Sequence, residues 1–405
     1  MNTKKKFKVL IVQHHYYPSI GGAQEYVRMF AEGLVKNGHE VTVYTTNSMT
    51  GEDVPGISFR WPFFNRPKKR AQLAREETIN GVKVKRFDVK LRLYSFNFMP
   101  AMFKELGGLG DYDIVNGCGF NLLSTYKACK AAKKNNKPFV LSAIDITIPR
   151  SLPVLAKIFK GIYDCTYGKY IVANSQAFTA LTKGQVPQYE RVGVKANDVT
   201  VIESVIDLKK YRQKPRGNFR RKHGLKKEDR LILYVGRLIE HKGVQDVINM
   251  MPKILEKHAN ATFLIAGVDG GYTGELEKLI EKKGLKSSVK MLGALGKEEL
   301  LDAYADSEIF VLPSNMEGFG IVMLEAMASG TPCVAYDIEN VREVILNNKT
   351  GFLAKDEKEF REQILELLGD KKKLGSFRKA GLEDVKKYSK ETFAKKFEKV
   401  YQELD

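Results

Sequence analysis

Lys8-Val9-Leu10-Ile11-Val12-Gln13 is a short apolar run set between polar residues, and it reads as a buried strand. From Ala23 to Lys36 the apolar residues Val27, Phe30, Ala31, Leu34 and Val35 return at helical spacing, and Asn37-Gly38 stops that helix. Val41–Thr45 is the next strand. Two strands joined through a helix are parallel, and the crossover is right-handed.

The same alternation runs outward along the chain. Further strands are expected at Val82–Phe87, Ile114–Asn116, Phe139–Ala143 and Tyr170–Ala173. Helices are expected at Asn97–Leu106, Leu122–Lys134, Leu152–Tyr167 and Ser175–Thr182. A second series follows a polar, basic joint at Lys209–Arg221. Its strands are Leu231–Val235, Thr262–Ala266, Val289–Leu292, Ile309–Leu312 and Cys333–Ala335, and its helices are Val244–Glu256, Gly274–Lys283, Lys297–Asp306 and Gly320–Ser329. The expected fold class is α/β, with two Rossmann-like domains facing across a cleft. The first domain is placed at residues 1–205 and the second at 206–385. Residues 386–405 form a C-terminal helix that packs back on the first. The length of 405 residues agrees with two cores, because single cores stop growing at roughly 250–300 residues.

Composition narrows the class. Apolar residues make up 43% and charged residues 28%, ordinary for a soluble enzyme. No apolar run nears the roughly 18 residues of a membrane span, and the N-terminal run is too short for a signal peptide. A cytoplasmic protein is expected, with peripheral contact at the inner face of the membrane. Cys118, Cys129, Cys165 and Cys333 are scattered, which argues against disulfides and zinc and for small buried or half-buried thiols. The net charge is +19. Its densest stretch, Arg60 to Arg92, holds 11 basic residues and opens with Trp61-Pro62-Phe63-Phe64 before Arg66, Lys68, Lys69 and Arg70. Aromatics beside basic residues suit an anionic membrane surface. No nucleic-acid module accompanies the charge, so no nucleic-acid partner is expected.

Four loops carry the chemistry. In Glu317-Gly318-Phe319-Gly320-Ile321-Val322-Met323-Leu324-Glu325 two carboxylates flank the start of a helix, after a strand that ends at Leu312-Pro313-Ser314. Glycines there let helix N-terminal amides approach an anion. In Gly236-Arg237-Leu238-Ile239-Glu240-His241-Lys242-Gly243 two cations follow a strand and could clamp a diphosphate, doing the work of a magnesium ion. Gly21-Gly22 follows the first strand at a helix start, and Gly267 opens the glycine-rich turn Gly267-Val268-Asp269-Gly270-Gly271. Asp111-Tyr112-Asp113 is not expected to hold a metal, because Asp113 begins a strand. His14-His15 lacks a third ligand and is expected to line the cleft or pack.

Taken together these loops resemble the GT-B retaining glycosyltransferases of family 4, also called glycosyl transferases group 1. The resemblance runs from about Lys8 to Tyr401, and its most specific part is the Glu-x7-Glu pair Glu317 and Glu325. Gly38-His39-Glu40 and Ala173-Asn174-Ser175 also match. It implies that Arg237 and Lys242 hold the donor diphosphate and that Glu317 faces the donor sugar with the amides of Gly318, Phe319 and Gly320. It further implies that Glu325 binds the ribose, and that Gly21, Gly22, Gly236 and Gly267 line the donor. His15 and Asp145 are candidates on the acceptor side. The chain departs from the family at Ile144, where a histidine is usual before Asp145, and at Asn116-Gly117-Cys118, where a His-x-His is frequent. The resemblance implies a nucleotide-sugar donor, a glycan or lipid-linked acceptor, and neither metal nor cofactor. A nucleotide-sugar 2-epimerase, or a non-catalytic sugar-nucleotide-binding subunit, are the alternatives.

Overall fold

The computed structural model describes residues 5–19, 21–49, 56–57, 73–93, 96–143, 146, 154–211, 217–390 and 393–404. They fall into two compact units, Met1–Val205 together with Lys390–Asp405, and Ile206–Ser389.

The first unit contains strands β1 (Lys8–Gln13), β2 (Glu40–Thr46), β3 (Gly56–Ile57), β4 (Glu76–Ile79), β5 (Val82–Phe87), β6 (Leu91–Leu93), β7 (Phe96–Phe98), β8 (Ile114–Cys118), β9 (Phe139–Ser142), β10 (Ala177–Ala180) and β11 (Val199–Val201). Its helices are α1 (Gly22–Lys36), α2 (Pro100–Glu105), α3 (Leu123–Lys134), α4 (Val154–Tyr163), α5 (Lys169–Ala173) and α6 (Val186–Arg191). Eight strands form one sheet in the order β11-β10-β9-β8-β1-β2-β5-β4. All its neighbours pair in parallel except β4, which forms an antiparallel edge on β5. Because β1 lies inside the sheet, Val9 to Val12 are wholly buried, and the strand reads as a continuous apolar run instead of alternating. Strands β3, β6 and β7 form a small separate sheet.

The second unit contains β12 (Arg230–Val235), β13 (Ala261–Ala266), β14 (Val289–Gly293), β15 (Ile309–Leu312), β16 (Cys333–Tyr336) and β17 (Gly351–Ala354). Its helices are α7 (Asn218–Lys222), α8 (Val244–Lys257), α9 (Thr273–Lys282), α10 (Lys297–Asp306), α11 (Ile321–Ala328), α12 (Glu357–Gly369) and α13 (Lys371–Asp384). The sheet is parallel in the order β14-β13-β12-β15-β16-β17. The chain therefore winds outward from β12 to β14, returns, and winds outward again from β15. Such a reversal leaves a crevice at the carboxyl ends of the two central strands, β12 and β15.

Helix α14 (Phe393–Gln402) belongs to the first unit despite its position in the sequence. It packs along α1: Phe397 stacks on Phe30 with ring centroids 3.7 Å apart, and Phe393 meets Tyr26 edge-on at 5.2 Å. A Cβ on Gly33 of α1 would lie 2.9 Å from the Ala394 Cβ, so glycine permits this close approach. The buried Glu398 carboxylate accepts from Asn37 Nδ2 and lies 3.3 Å from His39 Nε2. His39 Nδ1 accepts from the Phe7 N–H at 3.0 Å, which leaves Nε2 to carry the proton and donate to Glu398. At the other end of α14, Tyr401 donates to Asn116 Oδ1 at 3.1 Å.

The structure corrects several sequence expectations. Tyr170–Ala173 lies in helix α5 and not in a strand, while Ala177–Ala180, read as helix, is strand β10. The Tyr-Ile-Val run has strand propensity, but it continues the helix that begins at Val154 and passes through a π turn at Asp164–Gly168. Asn174 and Ser175 side chains bond the Tyr170 and Ile171 carbonyls at its end. The slot between β9 and β11 then takes Ala177–Ala180, so tertiary context overrides propensity. Asn97 belongs to β7, and the helix read at Asn97–Leu106 is confined to Pro100–Glu105. Strands β3, β4, β6, β11 and β17 are not among those expected from the sequence. Cys118, Cys129 and Cys333 are buried, whereas Cys165 is exposed. Arg66, Lys68, Lys69 and Arg70 lie outside the described residues. Further along the basic stretch, Arg75 pairs with Asp88, Lys85 with Glu105, and the buried Arg86 with Glu77. Much of the described charge there is thus matched internally.

Candidate active site

The site is built on the two central strands of the second unit. After β12 the chain runs through Gly236 and Arg237 into a 3-10 turn at Glu240–Lys242, and α8 follows from Gly243. After β15 it runs through Pro313 and Glu317 to Gly320, and α11 follows. The two loops touch. The Asn315 N–H donates to the His241 carbonyl at 3.1 Å, and a Cβ on Gly243 would fall 1.9 Å from the Pro313 carbonyl oxygen. Gly243 also has φ +69°, so both close approach and left-handed backbone require glycine. Gly320, at φ +79°, turns the second loop into α11.

Across this contact Lys242 Nζ lies 2.6 Å from Glu317 Oε1, and both side chains are largely buried. Asn340 Nδ2 donates to the Glu317 carbonyl at 2.7 Å. Arg237 is exposed and makes no salt bridge among the described residues. Its carbonyl accepts from the Tyr234 hydroxyl at 3.0 Å, which ties the loop back to β12. Burial lowers the His241 pKa, and Lys242 and Arg237 beside it act in the same direction, so this ring favours its neutral form. Phe319 is buried and meets Tyr388 edge-on at 5.9 Å, which fixes the backbone of Gly318 and Gly320 at the α11 N-terminus.

Glu325 lies one turn into α11 and is gripped from both sides. Tyr211 donates to Oε1 at 3.0 Å and Tyr304 to Oε2 at 2.8 Å. Burial first, and then the Glu325 carboxylate, push the Tyr304 phenol well above its ordinary value, which keeps it a donor. The third strand end contributes Gly267, where a Cβ would fall 1.8 Å from the Gly236 carbonyl oxygen. Asp269 closes that turn by accepting from the Gly271, Tyr272 and Thr273 amides.

Arg237, Lys242, Glu317, Gly236, Gly267, Gly318, Phe319 and Gly320 therefore sit beyond the carboxyl ends of adjacent strands, and Glu325 lies one turn further on, in α11. Tyr211, Tyr304 and Asn340 were missed because nothing in their local sequence marks them. Gly21, Gly22 and His15 belong to the first unit, beyond the carboxyl end of β1. Gly21 is extended there, at φ 164°, and a Cβ would meet only the flexible Gln24 side chain, so its backbone does not demand glycine. His15 Nδ1 lies 3.2 Å from the Ser48 carbonyl and from Thr46 Oγ1, and its ring packs on His14 at 4.4 Å. Asp145 and Ile144 lie outside the described residues. Asp113 Oδ2 accepts from the Lys8 N–H at 2.7 Å, a structural role at the start of β8.

Two family patterns cover most of the chain: "Glycosyltransferase Family 4" over residues 20–210 and "Glycosyl transferases group 1" over residues 215–384. The chain is 31% identical over 358 residues to the uncharacterised glycosyltransferase MJ1607 of Methanocaldococcus jannaschii, covering 85% of this chain and 84% of that one. The chain belongs to the GT-B glycosyltransferases. Solved structures agree on the fold. Sucrose-phosphate synthase from Thermosynechococcus elongatus superposes on this glycosyltransferase with a TM-score of 0.78 at 19% identity, over 98% of this chain and 99% of that one. Anabaena HepE, in complex with UDP and glucose, gives 0.77 at 17% identity, over 98% and 100%. The glycosyltransferase thus has a known fold, and its second unit carries the loops described above.

Proposed function

We propose that this glycosyltransferase takes a sugar from a nucleoside-diphosphate sugar and passes it, with retention, to a glycan or lipid-linked acceptor without help from a metal. The observation that carries this reading is the convergence of Arg237, Lys242, Glu317 and the α11 N-terminus where the second sheet reverses. The UDP held by HepE supports the donor class. Arg237 and Lys242 hold the diphosphate, with Arg237 forking two oxygens and Lys242 acting as a point charge. Glu317 and the amides of Gly318 to Gly320 hold the sugar hydroxyls. Glu325, oriented by its two tyrosines, binds the ribose hydroxyls.

In this scheme the bond from the anomeric carbon to the diphosphate oxygen breaks and its electron pair stays with the diphosphate. The acceptor oxygen bonds to the same face of that carbon, and its proton passes to the departing diphosphate. Negative charge gathers where the two cations and the helix amides lie, so they stabilise the transition state more than the ground state.

The test is a screen of UDP-, GDP- and ADP-sugars in EDTA, following release of the nucleoside diphosphate. Arg237→Ala and Lys242→Ala should each lower turnover by roughly 10²–10³ while the fold survives. Full turnover in either variant, or activity only with added metal, would overturn the proposal.

A further inference from the structure

Among the described residues nine large apolar side chains are exposed, and seven of them lie in one place on the first unit. Val154, Ile158 and Ile162 form a stripe along α4, with 73%, 54% and 57% of their surfaces open. Phe159 extends the stripe, while Leu91 and Phe98 from β6 and β7 border it. Tyr167 stands at its end, on the π turn. A groove of about 350 Å³ runs between the helix and the two strands. Soluble helices turn such a stripe toward a core, and this one presents it to solvent.

The surrounding charge is predominantly positive. Helix α3, whose Leu123 closes the groove, carries Lys127, Lys130, Lys133 and Lys134 and no carboxylate. From Val154 to Ala173 there are Lys157, Lys160 and Lys169 against Asp164 alone, and Asp164 is paired with Lys160. A second copy placed symmetrically on this face would set lysines against lysines. An anionic bilayer would receive the aliphatic stripe in its acyl boundary and the lysines at its phosphates.

We propose that the face formed by α4, β6 and β7 docks on an anionic lipid bilayer, laying α4 in the interface plane. The inference does not depend on the donor chemistry, which is assigned to the second unit. The face itself rests on described residues of α4, β6 and β7 alone.

Cys165 provides the probe, because it is exposed beside the stripe while the other three cysteines are buried. The full chain, labelled there with a polarity-sensitive fluorophore, is mixed with vesicles of phosphatidylcholine alone or containing phosphatidylglycerol. A blue shift and co-sedimentation are expected with the anionic vesicles. Both should weaken by roughly tenfold or more in Ile158→Asp/Ile162→Asp, whose exposed positions leave the thermal melt unchanged. Absence of binding to anionic vesicles would overturn the proposal, as would full binding by the double variant. Lipid-free dimerisation abolished by that variant would overturn it in favour of a contact between copies.

Discussion

Glu325 shows how little of a site one residue can announce. Its place eight positions after Glu317 is written in the sequence, but the hydroxyls that hold it come from Tyr304, 21 positions away, and Tyr211, 114 positions away. Neither tyrosine has a motif around it, so only the folded chain could pair them with the carboxylate. Tyr304→Phe should leave kcat nearly intact and raise the donor KM by roughly tenfold, the value of one hydrogen bond to a charged group. An unchanged KM would deny Glu325 its ribose role. Asp246, in the first turn of α8, offers a test by pH. Burial raises its pKa to about 6, against the opposing hydrogen bond from Tyr336. The folded state therefore holds a proton that the unfolded state has already lost, so this stabilisation is full below about pH 4 and is lost as pH rises through about 6. Asp246→Asn should gain stability relative to the parent as pH rises from 4 to 7. The gain is about 1 kcal/mol after solvent screening, and the α8 dipole trims it further. A gap that stays constant across urea titrations at the two pH values would refute the assignment.

At the level of elements, α1 and α14 carry the clearest prediction. Gly33 is small because Ala394 is against it, and Gly33→Leu should push the helices apart at a cost of about 1–3 kcal/mol in chemical denaturation. Glu398→Ala strands the buried His39 N–H and should cost a similar 1–3 kcal/mol. Equal stability of either variant with the parent would show that α14 is held by other contacts. The sequence made α1 plain through its apolar spacing, and it placed β12, β13 and β15 close to their true limits. It misled at residues 170–180. There the strand slot is buried on both faces and filled by Ala177, Phe178, Thr179 and Ala180, so no alternation could mark it. The loops after β12 and β15 were legible because glycine is forced at Gly243 and Gly320 by backbone geometry, and that need leaves a fixed trace in the sequence. The polar contacts of Asn116 left none: its amide meets Ser142 and Tyr401, which lie on a neighbouring strand and on a helix 285 positions away.

For the molecule as a whole, the first unit is assembled from two distant segments and the second from one continuous segment. A chain ended after Ser389 would lose Phe393, Phe397 and Tyr401 from the first unit. Burying three such side chains is worth about 5–9 kcal/mol, comparable with the entire stability of a domain. Hydrogen exchange on the shortened chain should show β1, β2 and β8 unprotected while β12 and β13 keep their protection. Full protection in both sheets would mean that the first unit is complete without α14. The same arrangement fixes an order of events during translation. Val205 and Lys390 are 185 positions apart. At roughly 5–20 residues per second, α14 leaves the ribosome about 10–40 s after the last strand of its own sheet. Throughout that interval Tyr26 and Phe30 lack the α14 rings that pack on them, while the second unit is already being synthesised in one piece. The later-made half can finish folding first, while the earlier half waits for its last helix.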